Sequence, residues 1–92
     1  MPAQGGIEVA FKPVFIRQFN KCEPALQDEI EEKIDLFRNR KNHSALRVHK
    51  LHGPLSGRWS FSVNYRYRVV FVWETAKSAV LLALGDHAVY EK

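Results

Sequence analysis

Three absences bound what this sequence can be. Cys22 is its only cysteine, which excludes an intrachain disulfide and a cysteine-built metal cluster and points to a reducing, cytoplasmic setting. No apolar run approaches the ~18 residues of a membrane span, and residues 1–6 lack the basic-then-apolar order of a secretory signal. Any membrane role would be peripheral, and no membrane partner is expected. The third absence is of negative charge: no Asp or Glu occurs between Leu36 and Trp73. The P-loop, G-x-S-x-G and H-E-x-x-H signatures are missing as well, so none of those nucleotide, hydrolase or metalloprotease chemistries has its signature here.

What fills the acid-free stretch is basic. Arg38, Arg40, Lys41, Arg47, Lys50, Arg58, Arg66 and Arg68 all fall there, while acids cluster between Glu23 and Asp35. The net charge of +4 is therefore polarised along the chain, and its basic half favours an anionic partner, nucleic acid first. An apolar share of 46% is that of a folded protein. The 92 residues suffice for one domain spanning 1–92, with residues 1–6 a flexible lead-in.

Periodicity sets the order of elements. Ile7, Val9 and Phe11 alternate as a strand. Pro13 suits the first turn of a helix over residues 13–20, with Val14, Phe15 and Phe19 as its buried stripe. Pro24 repeats that signal for a longer helix to about Arg40, whose Leu26, Ile30, Ile34 and Phe37 share one face. Its acids come early and its cations late, as the helix dipole prefers, with Glu29 and Lys33 spaced for an i,i+4 pair. The acidic run reads as a solvated face or as a docking surface for a basic segment.

Leu46, Val48 and Leu51 alternate weakly, and residues 53–57 (G-P-L-S-G) form a turn. Two strand-like runs then meet near Asn64 and Tyr65. In the first, Trp59, Phe61 and Val63 alternate with Arg58, Ser60 and Ser62. In the second, Tyr65, Tyr67, Val69, Phe71 and Trp73 alternate with Arg66, Arg68, Val70 and Val72. That second strand is apolar on both faces in its later part, so it belongs in the middle of the sheet. Residues 79–84 form a third strand. The fold class is α+β: an N-terminal strand and two helices packed on an antiparallel sheet of three to four strands.

Strand alternation would put Arg66 and Arg68 on one face with Arg58, Ser60 and Ser62. Arginines there can hold a phosphate through paired N–H donors; the same pair can equally serve only to keep a sheet in solution. His87 follows Gly85-Asp86 at a strand end, where an imidazole with an ordinary pKa near ~6.5 can move a proton at neutral pH, or can be a surface turn. Tyr90 could stack on a base or give a proton weakly. His49 and His52 stand three apart but without a matching carboxylate or cysteine, so no metal site is expected. His52 fits phosphate contact or an auxiliary proton carrier, because it precedes the turn that feeds the arginine strand.

These residues carry a resemblance. Leu55-Ser56-Gly57-Arg58-Trp59-Ser60, then Tyr67-Arg68-Val69-Val70-Phe71, then Leu84-Gly85-Asp86-His87 with Tyr90 resemble the RelE/ParE superfamily of bacterial toxins, with the mRNA-cleaving YafQ- and HigB-like branches nearest. The resemblance implies the toxin of a type II toxin–antitoxin pair. It would cut mRNA at the ribosome by 2′-OH attack, leaving a 2′,3′-cyclic phosphate, with no metal or other cofactor. It also implies an antitoxin partner. Arg68 matches the arginine that meets the scissile phosphate, His87 a catalytic Arg or His position, and Tyr90 a C-terminal aromatic. His52 stands within one residue of a histidine that YafQ-like toxins use. Where some of these toxins carry an acid, this chain has Tyr67, which leaves the general base unassigned. Arg66, Arg58, Lys50 and Arg47 are expected to contact RNA or rRNA backbone. A gyrase poison of the ParE kind is the alternative within the same fold.

Overall fold

The computed structural model of the chain describes residues 6–86. Residues 1–5 of the expected lead-in, together with His87 and Tyr90, lie outside the described residues. Five strands and two helices follow the order β1 (Glu8–Phe11), α1 (Pro13–Asn20), α2 (Pro24–Phe37), β2 (His49–Lys50), β3 (Trp59–Ser62), β4 (Arg68–Thr75) and β5 (Ser78–Gly85). They build one mixed sheet ordered β1-β5-β4-β3-β2. All neighbouring pairs are antiparallel except β1 and β5, which run parallel in the register Glu8↔Ser78 to Phe11↔Leu81.

The sheet is thus wider than the three to four strands expected, and not wholly antiparallel. Two causes account for this. β2 is only two residues long and is held by its pairing with β3, His49↔Ser60 and Lys50↔Trp59, so it has no local pattern to betray it. The β1–β5 pairing joins residues some seventy positions apart, and the two helices make the crossover that a parallel pair requires.

Both helices start as their prolines dictate, with Pro13 and Pro24 at the first positions and extended residues Lys12 and Glu23 before them. α2 stops at Phe37, not near Arg40. Asn39 is extended (φ −115°, ψ 119°), and its side chain accepts from the Lys41 N–H at 3.1 Å, starting a separate 3₁₀ turn, Arg40–Asn42. Arg40 and Lys41 therefore lie beyond the helix and do not complete its last turn. Arg40 instead donates to the Ala76 carbonyl, with its guanidinium 4.9 Å from the centre of the Trp73 ring.

The core lies between the helices and one face of the sheet. Phe15, Ile30, Ile34 and Phe37 meet Phe61, Val63, Val69, Phe71, Ala79, Leu81 and Leu84. Simple alternation cannot put both Leu81 and Leu84 on that face. A bulge does: Val70 pairs with Ala83 and Phe71 with Leu81, so Leu82 is an extra residue on β5. Leu82, Val70 and Leu51 form a smaller cluster separate from the main core. β4 is therefore packed on both faces, as its composition indicated.

Phe37 is the hub. It is fully buried and makes ring contacts with His43, Phe61, Phe71 and Trp73 at 4.7 to 5.7 Å. Phe37→Ala should lower stability by about 3–5 kcal/mol, read as a drop in the urea midpoint. Phe37→Leu, which leaves a smaller void, should cost less.

Candidate functional site

One side chain builds the loop between β3 and β4. Asn64 Oδ1 accepts hydrogen bonds from the backbone N–H groups of Arg66 (2.9 Å) and Tyr67 (2.8 Å). This is the local side-chain bonding by which asparagine imitates a backbone turn. Its Nδ2 donates to Glu29 Oε1 at 2.9 Å, tying the loop to α2. Its carbonyl accepts from Arg68 Nη1 at 2.7 Å, and the Tyr67 carbonyl lies 3.2 Å from the same nitrogen.

The turn ends strand geometry at residue 62 and resumes it at 68. Alternation therefore does not apply to Arg66, and the expected Arg66–Arg68 face does not form. The two arginines line different clefts. Ser60, placed by alternation on a polar face, is fully buried. The expected Glu29–Lys33 pair gives way to the Glu29–Asn64 bond.

Arg68 opens onto a cleft of about 390 Å³. Glu29 and Lys33 of α2 line it, with Ala45, Leu46 and Arg47 from the segment before β2, and Ser62, Val63, Asn64 and Tyr65 from the hairpin end. Three cations thus share a concave space with one carboxylate. Arg68 is half-buried and held by main-chain oxygens, with no described carboxylate paired to it. Its bonds use Nη1, so the other guanidinium donors are left for an anion.

Arg47 reaches this cleft through an uncommon backbone. The Val48 N–H donates to the His43 carbonyl (3.0 Å) and the Arg47 N–H to that of Ser44 (3.1 Å). These are the paired bonds of a Schellman closure, whose penultimate residue adopts a left-handed conformation and is usually glycine. Arg47 has φ 59°. An L-residue held there costs about 1 kcal/mol or more.

A second cleft, of about 680 Å³, lies beyond the same loop and is lined by Gln18, Lys21, Cys22, Glu23, Ala25, Leu26, Arg66 and Tyr67. Glu29, Asn64 and Tyr65 line both clefts, so the loop is the wall between them. Arg66 lies over the Tyr67 ring, 5.6 Å from its centre. Burial pushes the Cys22 thiol above its ordinary pKa, which keeps it protonated at neutral pH.

Of the site residues read from the sequence, the smaller cleft brings together Arg68 and Arg47, and the larger one holds Arg66. Lys50 stands on β2 with Nζ 5.8 Å from the centre of the Trp59 ring. Arg58 is exposed ahead of β3, and His52 is exposed just before the 3₁₀ turn Gly53–Leu55. None of these three lines either cleft. His87 and Tyr90 fall outside the described residues; β5 brings Gly85 opposite Arg68. His43 is a packing residue, stacked 4.8 Å from Phe37 with Nε2 2.7 Å from the Phe37 carbonyl. Among the described residues no three His, Cys, Asp or Glu side chains converge to hold a metal.

Sequence reasoning passed over Lys33, Glu29 and Asn64. The i,i+4 spacing of Glu29 and Lys33 had placed both on one helix face, and an Asn between two strands is a turn signal. Neither feature indicated that they would meet.

No family model and no curated protein matches the sequence. Solved structures match it over nearly its whole length. YafQ from E. coli strain BL21(DE3) superposes with a TM-score of 0.73 at 11% identity, covering 90% of this chain and 96% of that one. The RelBE2 toxin–antitoxin complex of Mycobacterium tuberculosis gives 0.73 at 20% identity, over 96% and 99%. The YoeB–YefM complex from Staphylococcus aureus gives 0.68 at 18%, over 88% and 97%. The chain has the α+β fold of the RelE-like toxins. At these identities the likeness is one of fold.

Two outcomes test how the loop and the cleft are built. Asn64→Ala should lower stability by about 1 kcal/mol and speed amide hydrogen exchange at Arg66 and Tyr67. Asn64→Asp, which keeps both acceptor bonds but sets a carboxylate against Glu29, should protect those amides more than Asn64→Ala and less than the wild type. Arg47→Gly should leave stability unchanged or raise it by up to about 1 kcal/mol, measured by thermal unfolding, because glycine meets no penalty at that φ.

Proposed function

We propose that this protein is the toxin of a type II toxin–antitoxin pair and that it cleaves mRNA, at the ribosome and without a metal. The observation that carries this reading is the cleft of Lys33, Arg47 and Arg68, in which Arg68 is oriented by main-chain oxygens and paired with no described carboxylate. The toxin fold, shared with YafQ, RelBE2 and YoeB–YefM, supports it.

In the reaction, the ribose 2′-oxygen forms a bond to phosphorus while the bond from phosphorus to the 5′-oxygen breaks. A 2′,3′-cyclic phosphate and a free 5′-hydroxyl result. The open donors of Arg68 meet the non-bridging oxygens and stabilise the charge gathered there. Lys33 and Arg47 hold phosphate from the side of α2 and the 43–48 turn. Glu29, the carboxylate that lines this cleft, takes the proton from the 2′-OH. His87 returns a proton to the leaving oxygen, and Tyr90 stacks on the RNA. Arg66, Arg58, Lys50 and His52 meet RNA or rRNA backbone outside the cleft. An antitoxin segment rich in acidic residues would neutralise the cleft and silence it.

Expression without the antitoxin, followed by mapping of transcript ends, tests the reading. Wild-type protein should yield 2′,3′-cyclic-phosphate ends and, on the downstream fragments, free 5′-hydroxyls. Arg68→Ala should cut about 10²–10³-fold more slowly. Undiminished cutting by Arg68→Ala would remove the assignment. DNA-damage signalling with intact mRNA would transfer it to gyrase.

A further inference from the structure

We infer that Tyr65 is the platform of a nucleobase subsite, so that bound RNA crosses the β3–β4 loop from the smaller cleft into the larger one. The inference rests on the RNA-cleaving reading and extends it to a residue that the reading does not use.

Tyr65 is 91% exposed, far more than any other large apolar or aromatic side chain among the described residues. It makes no hydrogen bond or ring contact with a described residue. Its backbone is nevertheless held firmly. The Asn64 side chain bonds to the two following amides and to Glu29, and the Asn64 carbonyl takes a guanidinium bond from Arg68. A loop fixed this well, whose tip is almost wholly exposed, is arranged to present that ring to something else. An exposed aromatic with few rotamers is suited to stacking, because its surface leaves water at small entropic cost.

The surroundings select the ligand. Tyr65 lines both clefts, and cations stand on each side: Lys33, Arg47 and Arg68 on one, Lys21 and Arg66 on the other. Both volumes, about 390 and 680 Å³, fall within the ~300–1,000 Å³ usual for ligand sites. Single-stranded nucleic acid is bound by this alternation of aromatic faces and backbone cations. Glu23 and Glu29 also line the larger cleft, so it is less cationic than the smaller one. That suits a passage for an unpaired base better than a second phosphate trap. The scissile phosphate then lies with Arg68, and the adjoining base stacks on Tyr65.

The test uses ribosomes programmed with a short RNA taken from a transcript that the wild-type protein cuts. Every ribose carries 2′-O-methyl to block cleavage, and 2-aminopurine replaces the base on either side of the cut. Wild-type protein and Tyr65→Phe should quench 2-aminopurine at one of these positions. Tyr65→Ala should abolish the quench and weaken binding about tenfold or more. Arg68→Ala should weaken binding while keeping the quench at saturation.

If the wild-type protein neither cuts nor binds RNA, the cleavage reading falls and the subsite falls with it. If the wild type cuts and Tyr65→Ala binds and quenches equally well, the cleavage reading stands and the subsite is wrong. If Tyr65→Ala weakens only the complex with an antitoxin, the ring belongs to a protein interface and the subsite is again wrong.

Discussion

The amide of Asn64 is the constraint on which the hairpin end depends. Its oxygen interrupts the strand by taking the N–H groups of Arg66 and Tyr67, and its nitrogen fastens the interruption to Glu29 on α2. Four consequences follow from those bonds. Arg66 and Arg68 are separated, the Arg68 guanidinium finds a carbonyl to rest on, two clefts acquire a common wall, and Tyr65 is left at its crest. A residue without side-chain acceptors at this position would leave the two following amides free to continue the ladder or to seek water.

Charge and strain converge on the smaller cleft. The acids Asp28, Glu31, Glu32 and Asp35 on α2 are exposed, while Lys33 and Glu29 from the same helix line the cleft. Arg47 contributes a cation from a left-handed residue where glycine would be more comfortable. Strained backbone of this kind persists where the surroundings over-determine it, and it gathers at functional sites. Here the surroundings are the Schellman bonds, the His49 ring with Nδ1 2.7 Å from the Arg47 carbonyl, and the pairing of the Leu46 carbonyl with the Ser62 N–H. The two glycines of the following turn, Gly53 and Gly57, have positive φ of 70° and 91° with open space around them, so backbone conformation and not crowding requires them.

Local signals carried much of the fold. Pro13 and Pro24 marked the first turns of α1 and α2. The spacing of Ile30, Ile34 and Phe37 marked the buried face of α2, and the double-sided apolar run through Val69 and Phe71 marked a central strand. Those features depend on the dihedral limits of proline and on the periods of helix and strand, which act within a few residues. β2, the parallel seat of β1, and the bulge at Leu82 had no such local cause. Each is settled by a partner far along the chain: β3 for β2, β5 for β1, and for Leu82 the need to bury both Leu81 and Leu84 against the helices.

The candidate site divides in the same way. The sequence alone established that the half of the chain after α2 is basic and that Arg68 lies on a strand apolar on both faces in its later part, because counting charges and alternation requires no partner. That the strand starts at Arg68 and not at Tyr65 was decided by the Asn64 turn. Which cations stand together was decided only by tertiary structure. Lys33 and Arg47 come from a helix and a turn that approach Arg68 because Phe37 is drawn into the core beside Phe61 and Phe71. The bonds of Asn64 lead across the loop to residues whose sequence spacing gives no hint of contact, so only the assembled fold could join Glu29, Asn64 and Arg68 in one place.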